Sequence, residues 1–284
     1  MTLAWFAFGL LLATSDPAAE KAFREGIDRY NHRDYAGAAE SLERAVRLNP
    51  QEPEYHRWLG RVYSERADRE HSLLQARKAK HEFETAVTLD PSNTPARRDL
   101  SEYEMDAPWF AGGDKDDARA QVEAIERLDP LQGRLARAIY DLRALKRPDL
   151  AENEYRAVLA AHPRSADPYF EILEFYQRQN RPDAMASVLA GTPADPRLAY
   201  WRGVERVMAS QNFDQAERDL REYIANSPER SDWPSHNAAR EWLGQLYQKE
   251  GRLDDAAAVY REALRIQPTR KSARERLDRL EKSK

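Results

Sequence analysis

Histidine, aspartate and glutamate occur in this sequence at spacings that resemble parts of two metal sites. His81-Glu82 begins the H-E-x-x-H zinc motif, in which two histidines lie one helical turn apart, but a threonine occupies the second histidine position. Asp114 and Asp116 resemble the start of a calcium loop, but an alanine follows at the fifth position and no glutamate at the twelfth. Neither pattern is complete, so no metal site is predicted, and Asp114 is expected to cap a helix.

Motifs for other chemistry are absent from the sequence. There is no cysteine, which excludes disulfides, thiolate metal sites and a cysteine nucleophile. There is also no glycine-rich phosphate loop, no dinucleotide fingerprint and no nucleophile elbow. The remaining histidines show no ligand spacing and are expected at the surface; they are His32, His56, His71, His162 and His236. The sequence therefore predicts a protein that is not an enzyme and holds no cofactor.

Composition and charge give no indication of a nucleic-acid partner. The net charge is −4, and 33% of the residues are charged against 41% that are apolar, which is more polar than an average globular protein. Seven basic residues against three acidic ones are found between Arg270 and Lys284. They are interpreted as the solvated side of a last helix, because no aromatic residues alternate with them to stack on bases.

A spaced triplet of residues organises the chain. It consists of an alanine, a bulky apolar residue four positions later, and a proline twelve positions after the alanine. The copies are Ala38/Leu42/Pro50, Ala79/Phe83/Pro91, Ala118/Val122/Pro130, Ala151/Tyr155/Pro163, Ala184/Val188/Pro196, Ala216/Leu220/Pro228 and Ala256/Tyr260/Pro268. Positions i and i+4 share one helix face, and a proline ends the helix, so the triplet predicts a helix repeated seven times.

The last copy carries a fuller pattern. Leu243, Gly244 and Tyr247 precede it, and with Ala256 and Tyr260 they resemble the L-G-x2-Y…A-x3-F…P pattern of the tetratricopeptide repeat, a helix–turn–helix unit. The resemblance implies an all-α solenoid, a right-handed superhelix of about seven units with a C-terminal capping helix. The units are expected at residues 19–51, 53–91, 93–130, 132–163, 165–196, 197–229 and 237–269, and the capping helix at 270–284.

Small residues and insertions give finer expectations. Gly244 is expected to face Ala256, since two helices approach closely only where side chains are small. Three stretches exceed the usual repeat length, at residues 66–78, 106–117 and 229–237. The first contains neither glycine nor proline and is expected to be helical throughout. Pro108 is expected to end one helix before Asp114 begins the next.

The first 15 residues differ from the rest of the chain because they carry no charge. Their apolar run, Leu3 to Ala13, is shorter than the ~20 residues that span a bilayer and suits the core of a secretory signal peptide. No basic residue precedes the run, and the alternative is an N-terminal helix that packs on the first repeat. The expected location is therefore periplasmic or extracellular in a bacterium, or cytoplasmic if the leader is not cleaved.

The resemblance also implies where partners bind, because the first helices of successive repeats line a concave groove that holds peptides. Carried over by position, the groove residues are Phe23, Ile27, Tyr30, Arg57, Arg61, Arg98, Glu102, Phe170 and Tyr200. The arginines favour an extended peptide with carboxylates. The alternative is that they pair with neighbouring glutamates such as Glu54 and Glu102.

Two tryptophans, Trp109 and Trp233, lie in the insertions, each beside a proline. They are either anchors for a partner or rings that fold back to fill an opening in the stack. The resulting hypothesis is a non-catalytic scaffold of the bacterial envelope that binds peptides or partner proteins, without a membrane span in the mature chain. The alternative is a regulatory or substrate-recruiting subunit of an envelope enzyme, such as a peptidase or polysaccharide synthase.

Overall fold

The computed structural model describes residues 16–282, and within this range the chain folds into helices without a strand. The helices are α1 (Pro17–Asn31), α2 (Tyr35–Leu48), α3 (Pro53–Glu70), α4 (Leu73–Leu89), α5 (Thr94–Asp106), α6 (Lys115–Leu128), α7 (Pro130–Arg143), α8 (Pro148–Ala160), α9 (Asp167–Arg178), α10 (Pro182–Gly191), α11 (Leu198–Ala209), α12 (Phe213–Asn226), α13 (His236–Lys249), α14 (Leu253–Ile266) and α15 (Lys271–Lys282). A 3₁₀ turn at Trp109–Ala111 separates α5 from α6. The predicted all-α architecture of seven helix pairs and a last helix is confirmed.

The chain divides into two compact units, the first ending at Leu128 and the second beginning at Asp129. In the first unit, α1 packs on α2, α3 on α4 and α5 on α6, and neighbouring pairs contact one another. In the second, the pairs are α7–α8, α9–α10, α11–α12 and α13–α14, and α15 packs on α14. Ala273, Leu277 and Leu280 of α15 are buried, so this helix covers the last apolar face as a solenoid requires.

Side chains at the helix starts explain where the helices begin. Asp34 accepts a hydrogen bond from the Gly37 amide and Asp129 from the Leu131 amide, which satisfies donors that have no partner inside the helix. At the other end, the prolines of the repeated triplet follow the helices. For example, α2 ends at Leu48, two residues before its proline.

The contact between the two helices of a pair differs from the expectation. A Cβ atom on Gly244 would lie 2.4 Å from the Tyr260 ring, so the bulky residue of the triplet, rather than Ala256, lies nearest to the glycine. A Cβ on Gly60 would likewise lie 2.7 Å from the Phe83 ring. The same relation holds for two further pairs, Gly26 with Leu42 and Gly203 with Leu220. The glycine therefore provides the space into which the larger side chain packs.

The alanines of the triplet are fully buried in six of the seven copies. The exception is α10, where Ala184 is only partly buried and its neighbour Met185 is inaccessible to solvent. Met185 is the fourth residue of α10, as Ala38 is of α2 and Ala256 of α14. The predicted register of this repeat is therefore wrong by one residue, because methionine and not alanine occupies the inward position.

The long first insertion is helical as expected, except at His71 and Ser72, which separate the two helices of the pair. The chain turns at His71, which adopts a left-handed conformation with φ of 50°, and Ser72 then caps α4. The two helices of this pair have 18 and 17 residues, so both are longer than the others. The signal-peptide prediction concerns residues 1–15, which lie outside the described residues.

Candidate interaction surfaces

The structure places the predicted aromatic groove residues of the first unit mainly in its interior. Tyr30 is only 7% exposed and contacts the rings of Trp58 and Tyr35 edge-on. Phe23 is partly buried and stacks on Tyr55 with ring centroids 4.8 Å apart. Tyr30 is thus a core residue and not part of an exposed groove, because the tight packing of α1, α2 and α3 encloses its ring. Ile27 is partly exposed.

The predicted arginines come together around one carboxylate. Arg57 lies 2.8 Å from Asp99 and 2.9 Å from Glu54, and the Arg61 guanidinium lies 3.5 Å from Asp99. Arg61 also lies over the Trp58 ring, 4.8 Å from its centroid. We call Arg57, Arg61, Trp58 and Asp99 the arginine cluster. Both arginines of the cluster have carboxylate partners within the first unit. This is the pairing with neighbouring acidic residues that the alternative interpretation expected.

Arg98 and Glu102 lie on α5 beside this cluster. They pair with each other along the helix at 3.1 Å, and both side chains remain partly exposed, 25% and 30% respectively. Such an i, i+4 pair near the surface contributes little stability, about 0.3–0.5 kcal/mol.

In the second unit the predicted groove residues are also buried. Phe170 is 8% exposed and Tyr200 is 5% exposed, and both belong to the hydrophobic core of this unit. The Arg197 guanidinium covers the Phe170 ring at 4.2 Å and pairs with Asp195 and Asp167. Phe170 and Tyr200 therefore stabilise the packing of α9 and α11, and they are not exposed to a peptide.

Trp109 and Trp233 have opposite environments. Trp109 is 84% exposed, and the next residue, Phe110, is 52% exposed. Their rings meet edge-on with centroids 5.9 Å apart. Trp233 instead packs against the core of the second unit, between the guanidiniums of Arg197 and Arg230 at 5.2 and 5.7 Å. Trp233 fills an opening, as one interpretation expected, whereas Trp109 does not.

The segment that carries Trp109, residues 107–114, is held at several points, and we call it the Trp109 loop. The Lys80 ammonium donates a hydrogen bond to the Gly112 carbonyl at 2.8 Å. The Tyr103 hydroxyl lies 2.7 Å from the carbonyl oxygen of Ala111, which is buried. Gly113 approaches the Ala107 carbonyl so closely that a Cβ atom would lie 1.8 Å away. The exposed aromatic pair therefore sits on a fixed backbone.

A buried carboxyl group lies at the base of this loop. Glu104 is 4% exposed, and its Oε2 atom makes no hydrogen bond to the described residues. Its backbone carbonyl accepts a hydrogen bond from the Asp114 amide. The pKa of this carboxyl is raised to about 8, chiefly by burial; Asp117, Glu84 and Asp114 also raise it, and Lys80 lowers it. Sequence reasoning missed this group because nothing in the local pattern distinguishes Glu104 from solvated glutamates.

One histidine is buried, contrary to the prediction. His56 is 7% exposed, and its ring lies 2.6 Å from the Glu82 carboxylate and 3.0 Å from the Pro50 carbonyl. Burial lowers the pKa of His56, but the hydrogen bonds to Glu82 and Pro50 outweigh it and hold the pKa above its usual value. Glu82 of the His81-Glu82 pair therefore connects α4 to α3 through His56. The hydrogen bond is stronger when the His56 imidazole is charged.

Two searches for functional features among residues 16–282 gave no candidate. No group of three or more histidine, aspartate or glutamate side chains is arranged to hold a metal ion. No helix in this part of the chain combines the length and the apolar character that crossing a membrane requires.

The exposed aromatic pair and the arginine cluster are the candidate interaction surfaces of the first unit.

A family model described as Tetratricopeptide repeat matches residues 23–70 and 205–271. The first stretch covers most of α1 with α2 and α3, and the second covers the last residues of α11 with α12, α13 and α14. A search of curated proteins found no match to the chain.

Two solved structures show the same kind of fold. A tetratricopeptide repeat protein from Parabacteroides merdae superposes with a TM-score of 0.52 at 16% identity, over 93% of this chain and 99% of that one. Yeast Tom70 superposes with a TM-score of 0.59 at 15% identity, over 98% of this chain and 60% of that one. At these identities the likeness concerns the fold.

Proposed function

We propose that the protein is a non-catalytic scaffold that binds peptides or partner proteins, and the tetratricopeptide repeat matches at residues 23–70 and 205–271 support this proposal. One observation carries the proposal: Trp109 and Phe110 are exposed to solvent on a loop whose backbone is fixed. Fully burying a side chain of this size contributes about 1.5–3 kcal/mol. Since the loop is already ordered, little of that free energy would be spent on immobilising it.

We propose that the arginine cluster gives the protein a preference for acidic peptides. A peptide carboxylate near Arg61 would share its guanidinium with Asp99, which lies 3.5 Å away. If this holds, peptides selected on the intact protein should be rich in aspartate and glutamate, and the double variant Arg57→Gln with Arg61→Gln should lose that enrichment. Selection of basic peptides, or the same enrichment by the variant, would contradict the assignment.

A photo-cross-linking experiment tests the role of the aromatic pair. A benzophenone amino acid placed at position 109 should form adducts with a discrete partner in native cells, and the same group at Glu40, an exposed residue of α2, should not. The double variant Trp109→Ala with Phe110→Ala should lose the partner, whereas Leu48→Ala, which also removes an exposed apolar side chain, should retain it. Equal adducts from both positions would overturn the proposal.

We further propose that the protein acts in the bacterial envelope after removal of residues 1–15. The support is the uncharged apolar leader in the sequence. N-terminal sequencing of the protein from its native host should begin near residue 16, and an intact Met1 would refute export. A peptidase or polysaccharide synthase that co-purifies in fixed ratio would identify the scaffold as a subunit of an enzyme complex.

A further inference from the structure

The buried Glu104 carboxyl lies at the base of the Trp109 loop and belongs to neither of the interaction surfaces described above. Its Oε2 atom has no hydrogen-bond partner among the described residues. The backbone carbonyl of the same residue accepts a hydrogen bond of 2.9 Å from the amide of Asp114, the last residue of the loop. The carboxyl group and the end of the loop are therefore joined through one residue of α5.

One lysine of α4 both holds the loop and acts on this carboxyl. The Lys80 ammonium donates a hydrogen bond of 2.8 Å to the Gly112 carbonyl. Its aliphatic stem passes so close that a Cβ atom on Gly112 would lie 2.6 Å from the Lys80 Cδ atom. Lys80 is also the cation that lowers the pKa of Glu104. The loop carbonyl and an ionised Glu104 would therefore compete for the same ammonium group.

The surroundings of Glu104 offer little compensation for a negative charge. The charged groups that act on it come from α4, from the loop and from α6, and they are Lys80, Glu84, Asp114 and Asp117. From α3, Asp68 acts on the adjacent Tyr103. The cation of this set, Lys80, also lies 3.7 Å from Glu84. Because burial and nearby anions both disfavour a carboxylate, the closed loop requires Glu104 to be protonated.

We propose that Glu104 is a pH-sensitive switch for the Trp109 loop, which stays closed over the protonated acid and is released when the carboxyl ionises. An ionised Oε2 needs either a cation or water. If Lys80 turns to it, the Gly112 carbonyl loses its donor; if water reaches it, the loop has to move away from α5, because the group is buried. The inference rests on the proposed role of Trp109 and Phe110 in partner binding and adds a regulation to that site.

The direction of the switch follows from proton linkage. While the loop is closed, burial raises the pKa of Glu104 to about 8, whereas a carboxyl that water reaches ionises near the ordinary value of 4.5. The ratio of open to closed loops therefore rises by up to tenfold per pH unit between these two values and is constant above about pH 8. Trp109 and Phe110 should keep their fixed backbone in acid and lose it as the pH rises, and partner binding should weaken with it.

Hydrogen exchange of the full-length protein between about pH 5 and pH 9 tests the switch, once rates are corrected for the intrinsic effect of pH on exchange. The Asp114 amide reports the opening, because its acceptor is the Glu104 carbonyl. Its protection should fall by up to tenfold per pH unit, level off near pH 8, and stay at least about tenfold below that of the slowest α2 amides. Protection equal to that of α2 would mean that the loop opens only with the whole unit, and protection independent of pH would mean that it opens without Glu104. Either result would overturn the proposal.

Variants assign the effect to the two side chains. Glu104→Gln should make the protection of the loop independent of pH, whereas Glu40→Gln, at an exposed position of α2, should retain the pH dependence of the parent. Lys80→Met removes the donor to Gly112 and should lower the protection at pH 5 about tenfold, as expected for one hydrogen bond. Lys78→Met, which removes an exposed cation of the same helix, should leave it unchanged. A pH dependence that survives in Glu104→Gln, or a Lys80→Met loop as protected as the parent, would contradict the switch.

Cross-linking from position 109 separates this inference from the proposed function. In cell extracts buffered at pH 6 and pH 8, the benzophenone variant should form fewer adducts with its partner at pH 8, and Glu104→Gln should remove the difference. Equal yields at both pH values in the parent would refute the regulation. If no adduct forms at either pH, the proposed function fails, and the exchange of the Asp114 amide still decides whether Glu104 controls the loop.

Discussion

Replacing the buried carboxyl of Glu104 by an amide should change how the stability of the first unit depends on pH. The Glu104 side chain is 4% exposed, and burial raises its pKa from an ordinary 4.5 to about 8. Between pH 4.5 and about pH 8, the Glu104 carboxyl is deprotonated in the unfolded chain and protonated in the folded protein. Stability therefore falls as the pH rises through this window, by up to about 1.36 kcal/mol per pH unit.

The substitution Glu104→Gln removes this titration and keeps the size of the side chain. The free energy of unfolding of the variant, minus that of the parent, should grow from pH 4.5 to about pH 8 and then level off. Over the whole window the gain is of the order of 5 kcal/mol. Any change in hydrogen bonding by the amide shifts this difference by a constant and leaves its slope with pH intact.

Urea unfolding followed by circular dichroism at several values between about pH 5 and pH 9 measures the difference. Hydrogen exchange of peptides from α5 assigns the change to the first unit. His56 also makes stability fall with rising pH, because its folded pKa lies above its usual value and the ion pair with Glu82 is lost on deprotonation. This contribution is the same in parent and variant and cancels in the difference.

Glu40→Gln, at an exposed position of α2, is the matched control for exchanging a glutamate for a glutamine outside the interior. A difference for Glu104→Gln that stays flat with pH would refute the reasoning, since it would mean that Glu104 ionises as readily in the folded protein as in the unfolded chain. A difference that grows toward acidic pH would refute it equally.

Two further outcomes are expected from substitutions elsewhere in the chain. Gly244→Ala should destabilise the protein by about 1–3 kcal/mol, because its Cβ would lie 2.4 Å from the buried Tyr260 ring. Gly191→Ala should be tolerated, since its Cβ would meet nothing nearer than 3.9 Å. Equal unfolding midpoints in urea for the two variants would contradict the helix crossing. Acrylamide should quench the tryptophan fluorescence of Trp109→Phe less than that of the parent protein, because this variant lacks the exposed indole. The quenching of Trp233→Phe should not weaken in this way. Equal quenching of the two variants would show that the Trp109 ring is covered.

The repeated triplet was sufficient to predict the helices because it records two local properties, one buried helix face and the place where the helix stops. Ala38 and Leu42 are both fully buried, and α2 ends at Leu48. The triplet could not predict which side chain packs against each glycine, because that depends on how two helices cross. Spacing alone indicated that Gly244 would meet Ala256, whereas it meets Tyr260.

The candidate surfaces were less accessible to sequence reasoning because they depend on contacts between distant residues. Nothing near His56 indicates burial, since its partner Glu82 is 26 residues away. The loop that carries the exposed Trp109 is held by a hydrogen bond between Lys80 and Gly112, which are 32 residues apart. The shifted register of α10 could have been suspected from Met185, the fourth residue of this helix, since α2, α8 and α14 carry alanine there.

The contact between a glycine and a bulky neighbour also explains how the repeats can differ in sequence. Leucine, phenylalanine and tyrosine all occur opposite a glycine on the adjoining helix, as Leu42, Phe83, Leu220 and Tyr260 show. Because the glycine leaves room for each of these shapes, one kind of helix crossing recurs within a single chain with side chains of different size.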